Sequence, residues 1–298
     1  MPLEDQTFLL EDGRTMAWCE YGDPSSPYPP IFYFHSFPSG GCEGAMIHEG
    51  ALAKNLRIIS PDRPGYGLST LQPTRTFLSY TSDILALVDH LRIPQFKLLS
   101  VSGGCPYLLA CLKALPRDRC LGGQSISGIY PLSLGTQGMA FMQRSIMFIA
   151  YYSPSFVGTL MNMQLGAAAR DPDPQKLKDV FLAQTKSLPE KDRIAMESEH
   201  YGGYGAKGLR AALRNDGRGA GVEAGLYATE WGFKLQDIDG KGLRIWHGKH
   251  DTACPLSMAE KAAALIPGVD TSFLQDDGHS IIAYHLDAIL ANFLPATK

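Results

Sequence analysis

Short, continuously apolar runs alternate along this chain with longer segments of helical period, and that alternation restricts the possible folds more than any other feature. "IFYFHS" (31–36), "LRIIS" (56–60), "FKLL" (96–99), "LGGQSISGIYPL" (121–132), "LRIWHGKHD" (243–251) and "TSFLQ" (271–275) read as strands, several of them apolar enough to be covered on both faces. Residues 76–91 place Leu78, Ile84, Leu85, Leu87, Val88 and Leu91 close to helical spacing. "YLLACL" (107–112), "PLSMAEKAAALI" (255–266) and "IIAYHLDAILANFL" (281–294) read as further helices. Strands alternating with helices imply an α/β fold: a mainly parallel sheet with helices on both faces. Ahead of it, "TFLLEDGRTMAWCEYG" (7–22) reads as a hairpin turning at Asp12-Gly13, an antiparallel edge to the sheet.

Residues 133–228 break the alternation. They are helical in composition, Met-rich at the start and Gly-rich at the end. This pattern divides the chain into a first core part (1–132), a helical cap insertion (133–228) and a second core part (229–298). A chain of 298 residues can bury a sizeable core. Its net charge of −3 gives no electrostatic ground for nucleic acid or an anionic membrane as partner. The most apolar stretch, 145–161, is interrupted by Pro154 and Gly158, so membrane insertion is not expected. The acidic start "MPLEDQTFLLEDGR" lacks the apolar region of a secretory signal. Six cysteines without a C-x-x-C pair fit free thiols in a reducing compartment, hence a cytoplasmic location. Nothing in the sequence bears on oligomeric state.

The chemistry centres on "SVSGG" (100–104), where a strand passes at once into a helix with Ser102 at the corner. At such a nucleophile elbow the residues two before and two after the serine crowd each other's backbone, so both must be small. Ser100 takes the place of the more usual glycine; Gly103 and Gly104 keep the far side bare. A serine nucleophile needs a base and an orienting acid at the carboxyl ends of neighbouring strands. Asp251 closes "LRIWHGKHD", and His279 lies in "DDGHS" after the last strand. One helix and one strand fit between them.

In these segments the chain resembles the α/β-hydrolase superfamily, in its cap-bearing serine hydrolase branch. "FHSFP" is similar to that family's H-G-x-P oxyanion loop, "SPDRPGYGLS" to D-R-P-G-x-G-x-S and "SVSGG" to its elbow. "WHGKHDTACP" and "DDGHS" are similar to its acid and histidine segments, all in the family's order. The resemblance implies a Ser102–His279–Asp251 triad, no cofactor and no metal. It also implies an oxyanion hole formed by the N–H of Gly103 and an N–H of the loop after "IFYF". Pro38 has none, so Phe37 is the first choice and Ser36 the second. The expected reaction is cleavage of a small, largely apolar carboxylic ester, lactone or thioester. A lyase, an acyltransferase or cyclase on the same fold, or a small-molecule receptor using the pocket, are the other readings.

Several other signals have plainer readings. "GYGAKG" (203–208) satisfies G-x-G-x-x-G but follows no strand, so it reads as a loop of the insertion rather than a dinucleotide site. His247 and His250 are three apart at a strand end and do not converge on a metal. "HEGALAK" (48–54) lacks the second histidine of a zinc helix. Asp62 and Arg63 are expected to fix a turn, His35 to anchor the oxyanion loop, and Cys105 to pack its helix. Asp276 and Asp277 are expected to be solvated. Most of the Met and aromatic cluster in 139–163 should pack the insertion onto the core. Met142, Phe148, Tyr151 and Tyr152, with Ser36, are the candidate substrate contacts.

Overall fold

A computed structural model describes residues 1–295. Its strands are β1 (Leu3–Leu9), β2 (Thr15–Gly22), β3 (Ile31–Phe34), β4 (Arg57–Pro61), β5 (Phe96–Val101), β6 (Cys120–Ile126), β7 (Leu243–Gly248) and β8 (Asp270–Leu274). They form one sheet in the order β1-β2-β4-β3-β5-β6-β7-β8. β2 runs antiparallel to β1 and β4, and every other pair is parallel.

Why the central strands read as unbroken apolar runs is visible in β3. Phe32 and Phe34 join one buried layer while Ile31 and Tyr33 join another. Successive side chains point to opposite faces, so a sheet covered on both sides buries every position. The first layer includes residues of α2 (Phe77–His90), α3 (Cys105–Ala114) and the later α11 (Leu256–Leu265). The second includes residues of α1 (His48–Ala53) and α12 (Ile281–Ala291). Local signals set the helix ends: Thr76 and Ser79 form a reciprocal capping box at the start of α2.

Between β6 and β7 the chain leaves the sheet to form α4 (Phe141–Tyr152), α5 (Pro154–Met161), α6 (Ala167–Arg170), α7 (Pro174–Thr185), α8 (Glu190–Glu197), α9 (Glu199–Ala212) and α10 (Arg218–Ala228). These helices lie within 133–228. α10 packs on α4 and α5, and α9 packs on the 3₁₀ segment Gly41–Ile47. Among the described residues, no helix is long and apolar enough to cross a membrane.

Three expectations need correction. The run 121–132 is a strand only to Ile126, because Ser127 adopts a left-handed φ of 49° that breaks the ladder. β7 stops at Gly248, leaving Lys249–Asp251 in the following loop. Residues 203–208 are not a loop but part of α9, which Ser198 caps by accepting the Tyr201 N–H. Glycine is a poor helix former, but packing of the Gly202, Ala206, Gly208 and Leu209 face outweighs that preference.

Candidate active site

Ser102 sits where β5 gives way to the 3₁₀ turn Ser102–Gly104 and then α3. Its φ is +51°, a left-handed conformation that a non-glycine residue adopts at a cost of about 1–3 kcal/mol. The neighbours account for the glycines. A Cβ on Gly104 would overlap the Phe34 carbonyl oxygen, and one on Gly103 would come within 2.6 Å of Phe37 Cβ and 2.7 Å of the Tyr227 hydroxyl. That hydroxyl, from α10, donates to the Gly103 carbonyl at 2.8 Å. The insertion thus rests directly on the elbow.

Asp251 is buried and its two oxygens do different work. Oδ1 accepts the Ala253 and Cys254 N–H groups, each at 2.8 Å, which fixes the carboxylate. Oδ2 faces His279 Nδ1 at 2.7 Å and His247 Nε2 at 3.3 Å. Burial alone would raise the Asp251 pKa, but the charge of His279 and hydrogen bonds from both histidines hold it well below the usual carboxylate range. Burial alone would lower the His279 pKa; the charge and hydrogen bond of Asp251, with the charge of Asp192, raise it instead. An Nδ1–H committed to Asp251 leaves Nε2 free to accept a proton. Ser102 is half-buried, and its Oγ takes up no hydrogen bond among the described residues. Bonds of this kind often tighten only in the substrate complex.

In the loop after β3, Ser36 donates its N–H to Glu43 Oε1 at 2.8 Å and its hydroxyl to Glu43 Oε2. Its carbonyl accepts from Arg63 Nη2 at 2.9 Å and lies 2.9 Å from His35 Nδ1. Both hydrogen-bond donors of Ser36 are therefore engaged within the protein, which leaves it none for an oxyanion. The same contacts orient Phe37. The Ser36 C=O and Phe37 N–H belong to one peptide plane and point oppositely, so holding the carbonyl on Arg63 turns the N–H away from it. Phe37 N lies 3.3 Å from the Cβ position of Gly103, beside the elbow. Arg63 is fully buried and pairs with buried Glu223 of α10. Burial opposes the charge on both, but the pairing together with other neighbours, Arg75 and Tyr107 at Glu223 and the surrounding tyrosines at Arg63, outweighs it, raising the Arg63 pKa and lowering that of Glu223.

Asp62 fixes its turn by accepting the Gly41 N–H at 2.6 Å, and burial pushes its pKa up to about 6. Cys105 packs in the core, where burial pushes its thiol up to about 12, far from a reactive thiolate. His247 is engaged with the Cys254 carbonyl at 2.5 Å and with Asp251. Among the described residues no group of three or more His, Cys, Asp or Glu side chains could hold a metal ion. Asp276 is exposed, but Asp277 is not solvated as expected: it is buried, with Lys191 Nζ at 2.7 Å and His285 Nε2 at 2.9 Å. The His279 ring bonds Asp251 rather than Asp277.

Met142, Phe148, Tyr151 and Tyr152 are 67, 66, 58 and 72% exposed. Partly buried Phe37, Leu132, Ile146, Ile149 and Met161 instead each pack against a cluster of buried Ala150, Val157, Ala224 and Ala228. On α4, Phe148, Tyr151 and Tyr152 lie on a different face from Ile146 and Ile149, whereas Met142 shares the Ile146 face but is exposed in the first turn, distinctions a linear cluster of Met and aromatic residues does not reveal. A cleft of about 730 Å³ between α5, α10 and the 71–73 loop is lined by none of Ser102, Asp251 and His279. Sequence reading also missed Glu43, Asp192, Glu223, Tyr227 and the role of His247. Asp192, Glu223 and Tyr227 lie far from the motifs in sequence, Glu43 lies only seven residues past Ser36 but outside any motif, and His247 carries no signal separating a strand-end histidine from a partner of Asp251.

No protein-family model matches the chain, and no curated protein matches it. Solved structures do. The enol-lactonase from Burkholderia xenovorans LB400 aligns over 96% of this chain and 97% of its own at 18% identity, with a TM-score of 0.65. The esterase RhEst1 from Rhodococcus sp. ECU1013 aligns over 97% and 96% at 18% identity and a TM-score of 0.64. An alpha/beta hydrolase fold protein from Nakamurella multipartita aligns over 97% and 96% at 18% identity and a TM-score of 0.63.

Proposed function

From the α/β-hydrolase fold of this chain, we propose that it is a serine hydrolase cleaving a small, largely apolar carboxylic ester, lactone or thioester through an acyl-enzyme at Ser102. One observation carries this reading: a serine held at φ +51° on the elbow, with a His279–Asp251 pair at 2.7 Å from loops at the same sheet edge. A pure binding protein has no need of that strained serine or of the polarised pair. The similarity to an enol-lactonase and an esterase fits the substrate class.

In this mechanism His279 Nε2 takes the Ser102 proton as Oγ attacks the carbonyl carbon. Asp251 stays ionised, keeps the imidazole in the Nδ1–H tautomer and stabilises its charged form. The N–H groups of Gly103 and Phe37 receive the negative oxygen of the tetrahedral intermediate. Collapse expels the alcohol or thiol, which takes the proton from His279; water then repeats the sequence on the acyl-enzyme. The segment 133–228 acts as the cap, and Ile146, Ile149 and Met161, which share with Phe37 the buried cluster they pack against, supply its apolar wall. In isotopically labelled water, turnover of an ester panel should place solvent oxygen in the acid product. A nitrophenyl ester should release a burst of nitrophenol stoichiometric with enzyme when deacylation is slow. Products lacking solvent oxygen would point to lyase or acyl-transfer chemistry on the same residues.

A further inference from the structure

Beneath His279 lies a contact that the mechanism does not use. Asp192, on α8 of the insertion, is buried at 2% exposure and directs both oxygens into the histidine loop of the core. Oδ2 accepts the His279 N–H at 3.0 Å and Oδ1 the Ser280 N–H at 2.7 Å. These consecutive amides lead into α12, where the positive end of the helix dipole favours a carboxylate. The preceding residue is glycine, and a Cβ on Gly278 would overlap the Asp192 carboxylate. Lys191 completes the grip. Its Nζ lies 2.7 Å from Asp277 Oδ1, and its carbonyl accepts the Tyr284 hydroxyl at 2.7 Å.

We propose that Asp192 is a positioning residue for the base, so that α8 of the insertion holds the His279 imidazole in register with Ser102 and Asp251. The inference rests on the serine-hydrolase reading. Two hydrogen bonds to adjacent amides fix the orientation of the peptide that carries the ring. Because the site is buried, water is poorly placed to replace the carboxylate, and its loss leaves backbone donors unpaired. A misplacement of about 1 Å can cost roughly 100-fold in rate. The charged groups acting on His279 are Asp251, from the loop after β7, and Asp192; Asp277 is turned toward Lys191 and His285. Moving α8 would therefore disturb the base directly, which makes seating of the insertion part of assembling the site.

The test is Asp192→Asn, which keeps the shape but offers one acceptor and one donor to two N–H groups. Its kcat should fall about 10- to 100-fold with KM changed far less. The acid limb of kcat/KM should move to lower pH, because a negative charge that favours protonated His279 is gone. Gly278→Ala, which displaces the same carboxylate from the core side, should also lower kcat. Glu197→Gln, in an exposed pair with Arg193 on the same helix, should behave as the unaltered enzyme. Unchanged kcat and acid limb in folded Asp192→Asn, while a fluorophosphonate still labels Ser102, would overturn the positioning role and leave the hydrolase reading standing. Absence of labelling in the unaltered protein would instead contradict the hydrolase reading. Amide exchange needs no variant: in the unaltered protein the His279 and Ser280 amides should exchange as slowly as those of β7, and fast exchange there would also overturn the proposal.

Discussion

At the scale of single residues, the site works by committing each polar atom to one task. Asp251 gives one oxygen to the backbone and the other to the histidines, so its variants should separate cleanly from those of nearby acids. Asp251→Asn is expected to fold and lose about 10⁴ in kcat through the wrong tautomer. Asp277→Asn should lose far less, since its partners are Lys191 and His285; steady-state kinetics on the two purified variants decides. The pH profile follows from His279. As the proposed base it must be neutral to accept the Ser102 proton, and its pKa is raised. The fall in kcat/KM toward acid should therefore begin above the ordinary histidine value of about 6.5, and an acid limb below that value would contradict the pairing with Asp251. The placement of Ser102 at the β5 turn and the proximity of Asp251 and His279 in the loops after β7 and β8 were legible in the sequence because short motifs carry them. Asp192 and Glu223 were not, because a buried carboxylate on a helix reads as any surface acid until its partners, distant in sequence, are placed around it.

At the scale of elements, what could be read from the sequence was what local periodicity controls. The central strands were legible because a two-faced sheet leaves an unbroken apolar run. The end of β6 was not, because Ser127 turns left-handed without a glycine to announce it. The glycine-rich part of the insertion was equally opaque, since its glycines serve contacts between helices. Where α5 meets the start of α10, a Cβ on Gly158 would lie 2.4 Å from the Gly217 carbonyl oxygen and 3.2 Å from Gly221 Cα. Backbone there cannot swing aside as a side chain could. Gly158→Ala should therefore lower stability by about 1–3 kcal/mol, despite the roughly 1 kcal/mol that alanine contributes in a free helix. Thermal or urea unfolding would read the change, and a more stable variant would show that the helices can separate without cost.

At the scale of the whole molecule, the insertion is tied to both halves of the machinery. Tyr227 and Glu223 of α10 reach the elbow and the oxyanion loop, and Asp192 of α8 reaches the histidine loop. The cap proposed here therefore contributes to order in the site as well as to its apolar wall. Replacing Ile146 or Met161 with alanine should shift preference among acyl groups by about 1–3 kcal/mol per lost contact, read as a change in the ratio of kcat/KM values across an ester series. The same substitution at Tyr152, which is 72% exposed, should leave that ratio unchanged. All of this depends on Ser102 being the nucleophile. The most direct measurement is fluorophosphonate labelling of the purified protein, with peptide mapping and parallel kinetics on Ser102→Ala. A single adduct on Ser102, absent from Ser102→Ala together with a loss of about 10⁶ in kcat, is the expected result; an adduct elsewhere, or near-normal turnover by Ser102→Ala free of contaminating esterase, would contradict it.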